Sequence, residues 1–420
     1  MKRLMTLAAL IGIWMSNASL AGDWPMFRGP NINGVATESS APIMWSADEN
    51  VRWKAELPGA GNGSPIVSNG KVFLTAAEDD EGRQRSLLCF DEESGESLWK
   101  RTVTIDRAMP THKTNPHAPT TPASDGKLVV VWHGSAGLHC YDHVGNATWS
   151  RDLGEFRHMW GFGTSPILFD DLVILHSGPG RQVFVAAFDL KTGELRWRQD
   201  EPQSGTGERN AAGEYMGSWS TPVLATHGET THLIVIHSTR VVAYEPESGE
   251  ILWYCEGVGH DRGDLAYSSP VIDNGLCFVT GGFRGPAMAI RLGGSGNVTE
   301  THRLWRNDRQ PQNIGSGVVI EGHVLRPNAG PGTIECIDIE TGEIVWQDRA
   351  IGSMWSSLVK VGDLVYANNQ DAVTTVFEAS PLEFKEVSRN KLPGSSNSTP
   401  AVANGRIFIR TTEGLWCIGE

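Results

Sequence analysis

The side chains of this sequence best suited to chemistry are imidazoles and aromatic rings. Thr111-His112-Lys113-Thr114-Asn115-Pro116-His117 places two imidazoles and a carboxamide in one short segment. Such a group could bind a metal, move a proton or hydrogen-bond a ligand near neutral pH. As a metal site His112 and His117 lack a third ligand at clear spacing, so the simpler reading is a loop whose histidines satisfy backbone groups. His158-Met159-Trp160-Gly161, Trp219, Tyr267 and Trp355 open the third, fourth, fifth and seventh of the chain's repeated units. These rings either stack on a sugar, a peptide or a planar ligand, or simply pack. Arg284, in Gly281-Gly282-Phe283-Arg284-Gly285, either grips an anion or sits on an exposed hairpin tip, and the tip is favoured. No Gly-x-Ser-x-Gly, His-Glu-x-x-His or phosphate-binding Gly-rich loop is present. A pair of carboxylates drawn from distant segments would leave no local spacing to read.

What must position these residues is one unit used eight times. Asp189-Leu190-Lys191-Thr192-Gly193-Glu194-Leu195-Arg196-Trp197 recurs at Asp91 to Trp99, Glu245 to Trp253 and Asp338 to Trp346, each copy with a Gly four residues before its Trp. Weaker copies run from Asp142 to Trp149 and, with a stretched turn, from Arg291 to Trp305. A short apolar strand precedes each acidic residue, and a Ser/Thr-Pro or similar step precedes a further apolar run: Ser64-Pro65, Thr121-Pro122, Ser165-Pro166, Thr221-Pro222, Ser269-Pro270, Ser316-Gly317, Ser356-Ser357 and Thr399-Pro400. Turns such as Ser68-Asn69-Gly70 and Asp273-Asn274-Gly275 accept the positive φ of tight hairpins. Each unit is therefore four short antiparallel strands of about 47 residues, the period of a propeller blade.

An all-β, eight-bladed β-propeller follows. The last unit, Thr399 to Cys417, has no Trp strand, and the orphan Val51-Arg52-Trp53-Lys54-Ala55-Glu56-Leu57 is expected to complete it. That pairing removes two open sheet edges. Unit seven is the loosest copy, with Phe384 or a neighbour in place of Trp. The domain reading is a leader over 1–21, an extension over 22–44 and the propeller over 45–420.

The leader is a secretory signal peptide in design: Lys2 and Arg3, an apolar stretch from Leu4 to Met15, and a small-residue end at Ser19-Leu20-Ala21 with cleavage after Ala21. The stretch is short for a membrane span, and no Cys follows it to carry a lipid anchor. A periplasmic or secreted monomer is expected. A formal charge of −14 and the lack of a basic stripe argue against a nucleic-acid partner. Cys89, Cys140, Cys336 and Cys417 share one position in different blades, too far apart to pair; they read as small buried side chains, while Cys255 and Cys277 are left open.

These repeats resemble the PQQ-like β-propeller repeat of quinoprotein alcohol dehydrogenases and of the propeller lipoprotein in outer-membrane barrel assembly. The resemblance spans about residues 45 to 419 and rests on the aromatic-Asp, Thr-Gly-Glu and Trp positions. Asp23-Trp24-Pro25-Met26-Phe27-Arg28-Gly29-Pro30, followed by Asn33-Gly34, is similar to the opening of exported bacterial members. For the catalytic members the resemblance implies adjacent cysteines over the quinone, a calcium held by carboxylate and amide oxygens, and an Asp base. This sequence has no adjacent cysteines and no haem-attachment Cys-x-x-Cys-His. Asp79-Asp80-Glu81 reads as a solvated hairpin tip, so neither PQQ nor calcium is expected. A fold does not fix a function. The leading expectation is a non-catalytic scaffold for a protein or a glycan, and the competing one a PQQ-dependent dehydrogenase-like enzyme.

In such a ring, loops joining the outer strand to the next inner strand share a face with the loops joining strands two and three. That face carries the insertions, among them Lys100 to Thr120, Arg198 to Ser220 and Tyr254 to Ser268, and variable loops on a rigid frame are where binding residues gather. His112, Asn115, His117, His158, Trp160, Trp219, Tyr267, Arg284 and Trp355 are accordingly the candidate ligand-binding residues at the channel mouth.

Overall fold

Asp189 shows why the repeated motif turns where it does. Its Oδ1 accepts hydrogen bonds from Lys191 N at 3.0 Å, Thr192 N at 2.8 Å and Thr192 Oγ1 at 3.1 Å, closing a tight loop before the outer strand. Asp338 repeats this on Glu340 N, Thr341 N and Thr341 Oγ1. These donors favour the ionised carboxylate and hold the Asp189 carboxyl below its ordinary range, with the Thr192 N–H the largest cause. The following glycine meets two demands at once. Gly193 has φ +68°, and a Cβ there would lie 2.5 Å from the Trp149 ring of the preceding blade. Trp149 Nε1 donates to Leu190 O of that same turn at 2.9 Å. Gly95 receives Trp53, Gly145 receives Trp99, Gly249 receives Trp197 and Gly342 receives Trp305 in the same way. The motif is thus a latch between neighbouring blades as well as a turn.

Gly193→Ala should therefore destabilise the fold by more than Gly126→Ala, where φ is also positive, at +89°, but nothing lies within 4 Å of the added Cβ. We expect about 1 kcal/mol for the backbone alone at Gly126 and roughly 1–3 kcal/mol more at Gly193 for the overpacking. Equal urea midpoints for the two variants would show that indole docking does not set the requirement for glycine.

The structure is a computed structural model describing residues 22–308 and 310–419; the expected leader over 1–21 lies outside the described residues. Eight antiparallel sheets form the blades. Blade 1 spans Ile66–Ser68, Lys71–Ala77, Gln84–Asp91 and Ser97–Thr104 from the channel outwards. Blades 2, 3 and 4 begin at the inner strands Ala123–Ser124, Ile167–Phe169 and Val223–His227. Blades 5, 6 and 7 begin at Val271–Asp273, Val318–Ile320 and Val359–Val361, and blade 8 comprises Ala401–Ala403, Arg406–Thr411, Gly414–Ile418 and then Val51–Ala55. Pairing of Val51 with Ile418 and Trp53 with Cys417 closes the ring as the orphan strand implied. Among the described residues no helix is long and apolar enough to cross a membrane.

The departures from regularity are informative. The stretched turn of blade 5 inserts Gly296–Asn297, which adds a fifth, parallel strand to blade 4, and then one helical turn, Thr299–His302. In blade 7 the place opposite the third strand that Trp99, Trp149 and Trp346 fill elsewhere belongs to Ser388, facing Val376. Phe384 does not replace that Trp. It lies 6.1 Å from Trp346 and 5.0 Å from Phe377, ring to ring, taking the place of a glycine turn under the indole of blade 6. The missing indole comes from the segment between the N-terminal extension and the closing strand: Trp45 stacks on Tyr366 at 6.5 Å and 12°, as Trp99 lies over Phe73 at 5.8 Å. Asn390 fixes it, accepting from Trp45 N at 2.8 Å and donating to Ile43 O at 3.0 Å.

Before reaching that seat, the extension crosses the end of the channel. Trp24 exchanges backbone hydrogen bonds with Val67 of blade 1, Pro25 O accepts from Ser124 of blade 2, and Gly34 O accepts from Lys360 of blade 7. Arg28 is fully buried and donates to Gly317 O of blade 6, and burial pulls its pKa down to about 9. All six cysteines are buried free thiols, Cys255 and Cys277 included.

The channel mouth as candidate binding site

The Ser/Thr steps that open the inner strands form a hydroxyl collar around the channel. Ser64 N donates to Thr121 Oγ1, Thr121 N to Ser165 Oγ, and Ser165 N to Thr221 Oγ1. On the other side Ser269 N donates to Ser316 Oγ, Ser316 N to Ser357 Oγ, Ser357 N to Thr399 Oγ1, and Thr399 N back to Ser64 Oγ. These seven links measure 2.9–3.1 Å. At the remaining seam, Thr221 to Ser269, the blades are tied by a parallel ladder between Tyr215–Ser218 and Gly263–Ala266, and Trp219 N donates to Ala266 O at 2.9 Å. A hydroxyl that accepts one backbone N–H still has a proton and a lone pair to offer. All eight hydroxyl residues line one cavity of about 410 Å³.

Above the collar the cavity wall is aromatic. Trp160, Trp219 and Tyr267, from the approaches to blades 3, 4 and 5, form an arc with ring separations of 5.8 Å and 5.5 Å. Trp355, before blade 7, stands across the ring from Trp160 before blade 3. The arc is held from behind. Asn115 Nδ2 donates to Trp160 O and Phe162 O, both at 2.9 Å, and Trp219 Nε1 donates to Gly161 O at 3.0 Å. His158 is buried against the Trp219 ring at 4.9 Å with Nε2 3.1 Å from Met216 O, and its burial lowers its pKa, favouring the neutral ring. Phe27 of the extension lines the cavity from the end the extension crosses, so the channel is a well with a floor.

The structure brings six candidate residues to this cavity: His112, Asn115, Trp160, Trp219, Tyr267 and Trp355. The other three lie elsewhere. His117 is buried against Gly82, and burial drops its pKa to about 4. His158 supports the arc without lining the well. Arg284 is exposed on its loop, and Phe283 is the member of that loop that reaches the cavity; both have positive φ, 52° and 66° for Phe283 and Arg284. The sequence reading missed Asn62, Gln312 and Asn397, whose carboxamides also line the wall. It also missed the collar, although the doublets Thr120-Thr121, Thr164-Ser165, Ser268-Ser269 and Ser356-Ser357 carry the signal. The first residue of such a doublet binds its own blade, as Thr120 Oγ1 does Trp132 O at 2.6 Å and Thr164 Oγ1 does His176 O at 2.7 Å. The second reaches the next blade. Among the described residues the cavity lining includes no Asp, Glu, Lys or Arg.

Four-stranded blades latched by Trp on glycine turns, and a ring closed by its N-terminal strand, define a PQQ-like β-propeller of the quinoprotein superfamily. The chain matches, at residues 14–114, 83–348 and 296–414, the family model described as outer membrane protein assembly factor BamB, and it belongs to that family. It is similar in structure to BamB from Moraxella catarrhalis, with 14% identity and TM-score 0.60 over 88% of this chain and 96% of that one. It is also similar to quinohemoprotein alcohol dehydrogenase from Comamonas testosteroni, with 13% identity and TM-score 0.66 over 96% of this chain and 82% of that one. A europium-containing methanol dehydrogenase aligns at 11% identity and TM-score 0.55, over 95% of this chain and 91% of that one. At these identities the likeness is one of fold. No curated protein matches the chain by sequence.

Proposed function

We propose that this chain is an exported, non-catalytic propeller that binds a protein or a glycan at its loop-bearing face, acting in the periplasm or outside the cell. The observation that carries this reading is the neutral, aromatic character of the well. A calcium ion calls for several converging oxygen ligands, carboxylates among them, and an anionic quinone calls for cations. The lining supplies neither, and among the described residues no cluster of three or more His, Cys, Asp or Glu stands ready for a metal. The residues present therefore do not fit a calcium–quinone pair. Hydroxyls of the collar accept backbone N–H groups rather than facing a base, and His112 Nδ1 lies 2.7 Å from Thr114 Oγ1. Membership of the BamB family supports a protein partner in the cell envelope. Export rests on the leader design of residues 1–21.

Incubation of the purified protein with PQQ and calcium, followed by desalting, absorbance and metal analysis, tests the reading. Neither should be retained. Stoichiometric retention of the quinone that Trp160→Ala abolishes would make the chain dehydrogenase-like.

A further inference from the structure

We infer that the well is a seat for an uncharged saccharide, a free disaccharide or the terminal unit of a glycan; this rests on the binding reading above and names the ligand class of that site. The cavity of about 410 Å³ lies within the roughly 300–1,000 Å³ of small-ligand clefts, room for roughly two pyranose rings. Its chemistry is divided as a sugar's is. The C–H faces of a pyranose are apolar and its rim is a belt of hydroxyls, so it needs flat aromatic faces beside paired donors and acceptors. Trp160 and Trp355 supply faces on opposite sides of the well, and the collar with Asn62, Gln312 and Asn397 supplies neutral polar partners.

The rings are set before any ligand arrives. Trp219 spends its only N–H on Gly161 O, so it offers a face and no hydrogen bond. Asn115 spends both protons of its amide on the backbone around Trp160. Side chains already held in place lose little entropy on binding. Phe283, 43 % exposed and held at φ 52°, extends the aromatic surface to the rim. Non-glycine residues persist in such a conformation where surrounding structure imposes it.

Charge and shape narrow the class. A uronate, a phosphate or a peptide terminus would bring charge into a wall without Asp, Glu, Lys or Arg to answer it, and unpaired buried charge is costly. The floor at Phe27 lets a ligand enter by its end but not pass through, which disfavours an extended peptide running across the ring.

The test is calorimetry and saturation-transfer NMR with maltose, cellobiose, lactose and diacetylchitobiose, alongside cellobiouronic acid and an uncharged hexapeptide. At least one neutral disaccharide should bind saturably, at least tenfold tighter than the uronic acid. Trp160→Ala and Trp355→Ala should each weaken it tenfold or more at unchanged melting temperature, and Trp160→Phe should restore much of the loss. No saturation by any of the four sugars up to about 10 mM, or tighter binding of the uronic acid or the hexapeptide, overturns the inference. The binding reading then still stands unless the quinone is retained, so the two failures are told apart.

Discussion

Trp53→Ala should open the propeller at its closing seam. Trp53 is 8% exposed, lies 5.9 Å from Phe408, donates from Nε1 to Glu92 O at 3.0 Å and rests on Gly95 of blade 1. Emptying such a site costs about 3–5 kcal/mol. What distinguishes Trp53 from the other latches is that its own strand, Val51–Ala55, is joined to the rest of blade 8 by pairing with Gly414–Ile418 and by packing on Phe408, with no direct chain connection. Trp305→Ala removes a latch of the same kind, with Nε1 donating to Ile339 O at 2.9 Å, but its strand, Arg303–Asn307, stays tied to the rest of blade 5 through the chain. Both variants should therefore lose stability in urea, and only Trp53→Ala should become sensitive under native conditions to a protease cutting between residues 37 and 50. Equal resistance of the two variants would mean that strand pairing alone keeps the ring closed.

The second large effect is acid lability. His176 and His237 are fully buried with their rings 5.2 Å apart, and burial pulls both down to about 3. His176 Nδ1 lies 3.1 Å from Ser220 O and His237 Nε2 lies 2.9 Å from Tyr244 Oη. The nearest carboxylate, Glu201, is already gripped by Arg240 at 2.9 and 2.7 Å. The folded pKa values lie below the unfolded value near 6.5. The unfolded chain therefore binds more protons below that pH, and the stability present above about pH 6.5 is lost as the pH falls. At about pH 4.5 each residue would have cost on the order of 2–3 kcal/mol relative to neutral pH. His176→Asn with His237→Asn should flatten the fall in urea midpoint between about pH 6.5 and 4.5. The turn carboxylates such as Asp189, held low by their donors, lose their contribution only below the ordinary carboxylate range. An unchanged slope in the double variant would place the acid lability elsewhere.

The fold could be read from the sequence because its determinants are local. Asp189, Gly193 and Trp197 fall within a single turn and strand, so one copy displays the motif and its repetition displays the ring. Closure was equally legible, since Val51 to Leu57 is a strand without a blade and Thr399 to Cys417 a blade without its strand. The seat of Trp45 was not, because that residue lies outside the repeat. Its only trace is the combination of a spare Trp near the N-terminus and a missing one at Ser388. The collar was hidden for another reason: Thr121 N and Ser165 Oγ are 44 residues apart, and Ser64 N and Thr121 Oγ1 are 57 apart. Among the mouth residues, adjacency misled. Arg284 and His117 are close in sequence to lining residues, but neighbouring side chains of a loop diverge, so Phe283 faces the well while Arg284 faces solvent.

Ring closure also has a consequence for how the chain comes into being. The segment from Trp24 to Ala55 is synthesised before every blade it touches, and the partner of its closing strand, Leu415 to Ile418, follows all seven other blades in the chain. Until those residues emerge, the strand Val51–Ala55 has no sheet to join and Trp45 has no finished ring to brace. Partly made chains with unpaired strand edges are prone to aggregation and proteolysis. The closing strand thus checks that the ring has been made in full: a molecule cut short before Gly414–Ile418 keeps Val51–Ala55 as an unpaired edge that marks it as incomplete.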